Sequence, residues 1–187
     1  MAYTKLIYHI VFRPLGNAPV IAEEHERDLY MYIYGFCNNH QCVLYRIGGM
    51  PDHIHMCVGL HPTTAVATFI HDLKIAAGNF MRSRRDLFPM FDKWESSYGA
   101  FTYAEADKDR IVEYIKNQKE HHRRISTREE LETILKEFGI EYDERYIEVW
   151  GDPFRVDFSH DVYFRRSFRP TAIESRRFQR RVERNNK

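Results

Sequence analysis

The sequence predicts an α+β protein with a ferredoxin-like, split β-α-β fold, in which one antiparallel sheet of four strands carries two helices on one face. Three observations predict it. Four short segments are β-branched, aromatic or alternating in polarity; two longer segments carry apolar residues every three or four positions; and their order is strand, helix, strand, strand, helix, strand. We therefore expect the second face of the sheet to be available for a partner, an extra helix or nucleic acid.

The first strand and the first helix follow from the start of the chain. Residues 4–12 are β-branched and aromatic, and the R-P-L-G-N segment at 13–17 ends the strand. A helix is predicted from Ala22 to about Asn39, because apolar residues recur there at helical spacing. These residues are Leu29, Ile33 and Phe36.

A β-hairpin is predicted next, with strands at 41–47 and 53–60 and with Gly48-Gly49 as its turn. A long helix opens at 62–64 and reaches about Arg84, and the fourth strand is predicted at 97–103. The apolar face of the long helix comprises Val66, Ile70, Leu73, Ala77 and Phe80.

Two further helices are predicted after the fourth strand. The first runs from about Lys108 to Arg123, with Asp107 as the candidate N-cap. The second starts at the S-T-R-E segment of 126–129, a capping box in which serine and glutamate side chains satisfy free backbone amides reciprocally. It ends near Phe138, before Gly139.

Composition is that of an ordinary globular protein, with 43% hydrophobic and 29% charged residues among 187. No run approaches the roughly 18 apolar residues of a membrane span, and the first five residues predict no secretory signal. The three cysteines are an odd number without metal-ligand spacing, so we expect buried, reduced thiols in a cytoplasmic protein. They are Cys37, Cys42 and Cys57.

Charge is unevenly distributed along the chain. Residues 151–187 hold 10 Lys/Arg and 5 Asp/Glu, a net charge of +5, whereas the first 150 hold the remaining 18 and 22, a net charge of −4. We therefore predict a domain at 1–150 and a basic C-terminal extension at 151–187. Charge alone fits equally well a phosphate-binding arm and a solvated end.

Two histidines share one face of the third predicted strand. Side chains two apart in a strand point to the same side, so His53 and His55 are neighbours, while Ile54 and Met56 face the core. Two imidazoles on one sheet face can hold a divalent cation. Taken alone, the pair is more often a packing or surface feature.

Tyr114 and Gln118 are predicted one turn apart on the helix from Lys108, within a stripe that also contains Ile111, Ile115 and His122. The phenol oxygen of a tyrosine can act as a nucleophile, and the amide oxygen of a glutamine can serve as a neutral metal ligand. Spacing alone nevertheless favours a packing tyrosine with its hydroxyl at the rim of the core.

Three motifs together resemble a known family. They are P-D-H-I-H at 51–55, Y-G-A-F at 98–101 and Y-I-K-N-Q-K-E-H-H at 114–122. In order and spacing they resemble the single-tyrosine transposases of the HUH superfamily, of the IS-two-hundred/six-zero-five insertion-sequence type, including the relatives associated with repetitive extragenic palindromes (REP). The resemblance runs from about Tyr8 to Trp150.

The resemblance implies a role for each matched residue. Tyr114 is expected to be the nucleophile, on an extra, catalytic helix, and His53, His55 and Gln118 are expected to ligate Mg²⁺ or Mn²⁺. It also implies a homodimer that cleaves and rejoins single-stranded DNA at hairpin-marked ends, in which Tyr114 acts in its own subunit or in the partner's.

The expected chemistry suits these residue types. A phenol has an unperturbed pKa of about 10, and a nearby cation favours its ionised form. A covalent 5′-phosphotyrosine conserves the phosphodiester energy, so no nucleotide cofactor is needed, and the sequence has no G-x-x-x-x-G-K-[ST] phosphate loop.

Contacts to DNA are expected from the long second helix and the loop after it. Its basic residues either contact phosphates or are solvated: Lys74, Arg82, Arg84 and Arg85. The aromatic residues nearby either stack on unpaired bases or fill a core or a dimer interface: Phe88, Phe91, Trp94 and Tyr98.

Two alternatives stay open. The first is a relative resident in its host that processes repeat hairpins and has lost mobility. The second is a non-catalytic ferredoxin-like protein that binds nucleic acid, with structural histidines and a core tyrosine. The fold hosts many functions and does not separate them.

Overall fold

The computed structural model describes residues 3–142 and confirms the predicted fold class. Four strands form one antiparallel sheet in the order β2-β3-β1-β4, which is the ferredoxin-like order. The strands are β1 (Ile7–Phe12), β2 (Val43–Met50), β3 (His53–Gly59) and β4 (Gly99–Tyr103). The helices are α1 (Glu26–Asn39), α2 (Val66–Ser83), α3 (Lys108–Lys116), α4 (Gln118–His121) and α5 (Thr127–Glu137).

One face of the sheet packs against α1 and α2 and forms the main core. Ile54 and Met56 of β3 point into it, as the alternation predicts, and both are fully buried. Each such side chain contributes roughly 1.5–3 kcal/mol through burial. The helices contribute Leu29 and Ile33 from α1 and Leu73 from α2, so the predicted inner faces are largely the observed ones.

The other face is covered by the helices that follow β4. Ile111 and Ile115 of α3 pack against Ile7 of β1 and Cys57 of β3. Ile134 of α5 belongs to a second small cluster at the β1–β4 side of the same face. Of the three occupants expected for this face, extra helices are the one observed.

The prediction that Gly48-Gly49 forms the hairpin turn is wrong. Both glycines lie within β2, and the turn consists of Pro51 and Asp52, with Met50 paired to His53 across it. A β-carbon on Gly48 would lie 2.8 Å from the carbonyl oxygen of Ile115. A glycine is therefore required here by the close approach of α3, and not by a turn.

The helix predicted from Lys108 to Arg123 is interrupted. Asn117 leaves helical geometry, with φ −94° and ψ 12°, and its side-chain amide donates to Glu113 at 3.0 Å. Helices α1 and α2 also begin later than predicted, because residues 22–25 and 61–64 form turns.

Four further predictions concern the ends of α5, the cysteines, membrane-spanning helices and the C-terminal extension. The capping box at Ser126 is present, and Gly139 follows α5 with a positive φ of 61°. All three cysteines are free and buried. No helix in the described part of the chain is long and apolar enough to cross a membrane. The predicted extension at 151–187 lies outside the described residues.

Candidate active site

His53 and His55 lie side by side on β3, on the face covered by α3, α4 and α5. Both are 0% exposed. Their rings meet edge to face, with centroids 5.0 Å apart. The Nε2 atoms of both rings are buried, and neither makes a hydrogen bond of good geometry with a described residue. Unpaired buried nitrogens are costly unless another group, such as a cation, satisfies them.

The opposite nitrogen of each ring is held by a specific partner. Nδ1 of His53 lies 2.8 Å from a carboxylate oxygen of Asp52, and Nδ1 of His55 lies 2.9 Å from Nε2 of His9. Burial alone would raise the pKa of Asp52, but the hydrogen bond to His53 holds it below its ordinary value. The carboxylate is therefore an acceptor, and the hydrogen of His53 is on Nδ1.

His9 reaches His55 because of strand pairing. Val11 of β1 lies directly opposite His55 of β3, so His9, two residues earlier on the same face, is the diagonal neighbour. Burial, followed by the proximity of His55, lowers the pKa of His9 to about 3. His9 is therefore neutral and can accept the hydrogen from His55.

His122 and Glu130 complete a cluster around the two strand histidines. One ligand atom from each of four residues lies within 4.8 Å of the others. A single Glu130 oxygen, Oε2, lies 3.1 Å from Nε2 of His122, 3.3 Å from Nε2 of His55 and 3.7 Å from Nε2 of His53. Such spacing is that of groups that share one ion.

Local sequence explains how Glu130 enters this pocket. The capping box at Ser126 fixes where α5 begins, and Glu130 follows four residues later, in the first turn. It lies one turn before Ile134 on the buried face of the helix, and it is 4% exposed. The glutamate thus occupies a position at which the helical period requires an inward side chain.

Burial and the neighbouring charges shift the pKa values of Glu130 and of the histidines around it. Burial alone would raise the pKa of Glu130, but His55, His122 and His53 hold it far below its ordinary value. Burial alone would lower the pKa of His122, but its hydrogen bond to Glu130 raises it. Burial lowers the pKa of His55. The carboxylate is therefore ionised and needs positive charge nearby.

Tyr114 belongs to the same pocket. Its hydroxyl donates to Oε1 of Glu130, and its ring centroid lies 6.0 Å from that of His55. Burial and then the charge of Glu130 raise the pKa of Tyr114 above the ordinary value. The hydroxyl is held in place, but without a cation it is a weak nucleophile.

Gln118 is 1% exposed, and its Nε2 donates to Oε1 of Glu130 at 2.8 Å. Its own Oε1 is buried without a hydrogen-bond partner among the described residues. The pocket therefore contains three unsatisfied donor atoms of metal-ligand type, counting Nε2 of His53 and of His55. These observations fit the divalent cation that the sequence analysis expects.

The structure places the four expected DNA contacts on the surface around α2, where each has an intramolecular partner. Nζ of Lys74 donates to three backbone carbonyls, of Glu95, Ser96 and Ser97, at 2.8–3.1 Å. The remaining three are Arg82, bonded to Asp92 and Asn79; Arg84, paired with Asp86; and Arg85, bonded to Pro89 and Phe91. Their phosphate contacts stay predictions.

The neighbouring aromatic residues are mostly core residues. Phe88, Phe91 and Trp94 are buried and belong to the main core, and Tyr98 packs partly buried against it. These aromatic residues were expected either to stack on unpaired bases or to fill a core or a dimer interface. In the single chain they fill the core.

Four members of the pocket received no role from the sequence. Asp52 adjoins His53 and could have been found as a carboxylate beside a candidate ligand. Glu130 had a signal too, since an acid stands at an apolar position of an amphipathic helix. His122 lies on the expected stripe, whereas His9 is recognisable only once the β1–β3 register is known.

The family described as "Transposase IS200 like" matches residues 2–118, which is more than half of the chain. No curated protein matches the chain significantly.

Two solved structures are similar. A transposase candidate of Deinococcus radiodurans R1 is 25% identical with a TM-score of 0.50, covering 63% of this chain and 93% of that one. A REP-associated tyrosine transposase bound to a REP hairpin is 12% identical with a TM-score of 0.50, covering 65% of this chain and 72% of that one. The latter likeness concerns the fold. On the family match, this chain belongs to the IS200-like transposases.

Proposed function

We propose that this chain is a metal-dependent transposase of the cytoplasm that cuts and rejoins single-stranded DNA at hairpin-marked ends through a 5′-phosphotyrosine on Tyr114. The observation that carries the proposal is the convergence of Tyr114, the histidines of β3 and Gln118 on one buried carboxylate, Glu130. Family membership supports a DNA-cleaving reaction, and the pocket offers a nucleophile and ligands for it.

The proposed reaction exchanges one phosphoester bond for another. The Tyr114 hydroxyl gives up its proton and its oxygen attacks the scissile phosphorus. A bond forms between the tyrosine oxygen and phosphorus, and the bond from phosphorus to the 3′ oxygen breaks. The products are a 5′-phosphotyrosine and a 3′-hydroxyl, which takes up a proton. Because bond energy is conserved in the covalent link, a different 3′-hydroxyl can later reverse the step.

The residues around Tyr114 prepare it for this step. Glu130 accepts the hydrogen bond of the hydroxyl and so orients the nucleophile within the pocket. His53, His55 and Gln118 would hold Mg²⁺ or Mn²⁺ with their unsatisfied atoms. A bound cation would withdraw charge from the phosphate and favour the ionised phenol.

We also propose that Tyr114 serves the histidines of its own chain. The ring centroids of Tyr114 and His55 are 6.0 Å apart within one chain, so no second copy is required to bring them together. Mixing Tyr114→Phe with His53→Ala tests this arrangement. If each chain uses its own tyrosine, the mixture forms no covalent adduct, whereas exchange between subunits would restore it.

The homodimer and the DNA hairpin remain parts of the proposal. In the sheet of the described residues β2 is an edge strand, and an edge strand can pair with a second copy. The solved relative bound to a REP hairpin motivates hairpin substrates. Light scattering of the full chain would measure the oligomeric state.

The decisive experiment is an adduct assay. The full chain is incubated with Mn²⁺ and a labelled set of single-stranded hairpins taken from the DNA flanking its gene, and the products are separated under denaturing conditions. We expect a denaturant-resistant protein–DNA adduct that is absent with duplex DNA and with Tyr114→Phe. An adduct from Tyr114→Phe, or none from the wild type, contradicts the proposal and favours a non-catalytic binder.

A further inference from the structure

We propose that His122 and Glu130 are themselves metal ligands beside His53 and His55, and that this set of three imidazoles and one carboxylate selects Mn²⁺ over Mg²⁺. The inference rests on the proposed function only in taking this pocket as the metal site. It differs from the expectation of two histidines and an amide, because an imidazole and a carboxylate take the place of the amide and a cation preference is added.

The geometry around the Glu130 carboxylate is that of groups around one cation. Oε2 of Glu130 faces the Nε2 atoms of three imidazoles at 3.1–3.7 Å. His53 carries its hydrogen on Nδ1, toward Asp52, so its Nε2 lone pair points at a negative oxygen. Two electron-rich atoms face each other stably only when positive charge lies between them. A cation held by all four groups would supply it.

All four proposed ligands are buried. The side chains of His53, His55 and Glu130 are 0%, 1% and 4% exposed, and that of His122 is 5% exposed. Among residues 3–142, the groups in contact with Glu130 are a phenol, an amide and imidazoles, and none of these carries a fixed positive charge. A carboxylate buried among such groups is costly unless it is paired or coordinates a metal.

The choice of cation follows from the donor atoms. Mg²⁺ requires near-ideal octahedral oxygen coordination and keeps several waters. Mn²⁺ also binds oxygen ligands, but as a first-row transition dication it accepts imidazole nitrogen more readily than Mg²⁺ does. Three nitrogens and one oxygen therefore favour Mn²⁺ over Mg²⁺. A site made of two imidazoles, one amide oxygen and waters would discriminate less.

The two added ligands also lie beyond the region that the family match covers. That match ends at residue 118, whereas His122 follows α4 and Glu130 lies in α5. The proposed ligand set is thus a feature of the helices of this chain, and it depends on α5 being positioned by its capping box.

The test measures metal binding without DNA. The full chain is stripped with a chelator, and Mn²⁺ is titrated while the EPR signal of free Mn²⁺ is followed. We expect His122→Ala and Glu130→Gln each to weaken binding by about tenfold or more. The matched controls His121→Ala and Glu137→Gln should bind as the wild type does, since both lie outside the cluster. A roughly 100-fold excess of Mg²⁺ should leave Mn²⁺ bound.

A second measurement on the wild type is independent of how well the variants fold. In the pulsed EPR spectrum of the Mn²⁺-loaded chain, ¹⁴N modulation should report three imidazoles, and two in His122→Ala. Two imidazoles in the wild type, unchanged affinity in both folded variants, or ready displacement by Mg²⁺ would overturn the inference.

The outcomes separate this inference from the proposed function. Three imidazoles without any DNA adduct would contradict the transposase chemistry but keep the ligand set. A DNA adduct with only two imidazoles would keep the chemistry and contradict the ligand set.

Discussion

The carboxylate of Asp52 accepts a hydrogen bond of 2.8 Å from Nδ1 of His53, its immediate neighbour along the chain. Asp52 is the second residue of the β2–β3 turn, and His53 is the first residue of β3. The turn therefore fixes the tautomer of a candidate metal ligand and directs the Nε2 lone pair into the pocket. Carboxylate–imidazole pairs of this kind raise the basicity of the ligating nitrogen.

Replacing Asp52 by alanine should weaken metal binding without removing a ligand. We expect the dissociation constant for Mn²⁺ to rise by about 10- to 100-fold, because the imidazole loses its orientation and some basicity. Titration calorimetry would measure the constant. Asp72→Ala is the matched control, since Asp72 holds the exposed His71 in the same way at 3.0 Å. Equal affinities in both variants would contradict this role.

Gly48→Ala should disturb the packing of α3 on the sheet. The new β-carbon would meet the Ile115 carbonyl oxygen at 2.8 Å, so the helix that carries Tyr114 has to shift. Overpacking of this kind costs about 1–3 kcal/mol in the free energy of unfolding. Urea denaturation would measure the loss, and the yield of DNA adduct should fall as well.

Gly35 provides the comparison for that variant. It lies inside α1, and a β-carbon there would meet nothing within 4 Å. Gly35→Ala should therefore raise the free energy of unfolding, by roughly 0.5–1 kcal/mol, because alanine favours helix. If both alanine variants changed stability equally, the close approach of α3 would not be the reason for Gly48.

Lys74→Met should reduce stability substantially. Its ammonium group joins three carbonyls of the segment before β4, and hydrogen bonds from charged groups contribute about 1.5–3 kcal/mol each when buried. Because these carbonyls are partly accessible to water, we expect a loss of roughly 2–3 kcal/mol by urea denaturation.

The exposed Lys136 offers a control, and Lys136→Met should change the free energy of unfolding by no more than about 0.5 kcal/mol. The salt dependence of DNA binding tests the other role expected of Lys74. A phosphate contact would be recognised by a salt slope that falls by about 1 in Lys74→Met.

The thiols should be inert in the native chain. Burial raises the pKa of Cys37 to about 12 and that of Cys57 to about 11, so little reactive thiolate exists at pH 8. A thiol-reactive dye at that pH should label none of the three cysteines natively and all three in concentrated urea. Rapid labelling of any cysteine in the native chain would contradict the burial described above.

The local part of the fold was readable from the sequence because it depends on short-range rules. Alternation predicted that Ile54 and Met56 face the core, and the capping box at Ser126 predicted where α5 begins. The prediction that Gly48-Gly49 forms the hairpin turn was wrong because a long-range contact determines the glycine at position 48. Gly48 is required by the close approach of Ile115. That residue is 67 positions away and reaches Gly48 only through the packing of α3 on β2.

The candidate site divides in the same way. Period-two alternation put His53 and His55 on one face, and helical spacing put Tyr114 and Gln118 on one stripe, but neither rule says that the two surfaces meet. The resemblance to known transposases joined them as an expectation. In the structure they converge on Glu130, a residue that the sequence analysis had treated only as part of a short helix.

The sequence by itself determined the fold class, the strand that carries the histidines and the helix stripe that carries the tyrosine, since each follows from interactions among near neighbours. Only the tertiary structure decided the membership of the pocket. Strand register brings His9 to His55, and the packing of α5 brings Glu130 to His53 and His55. Both contacts join residues more than 40 positions apart, and no local periodicity encodes such pairs.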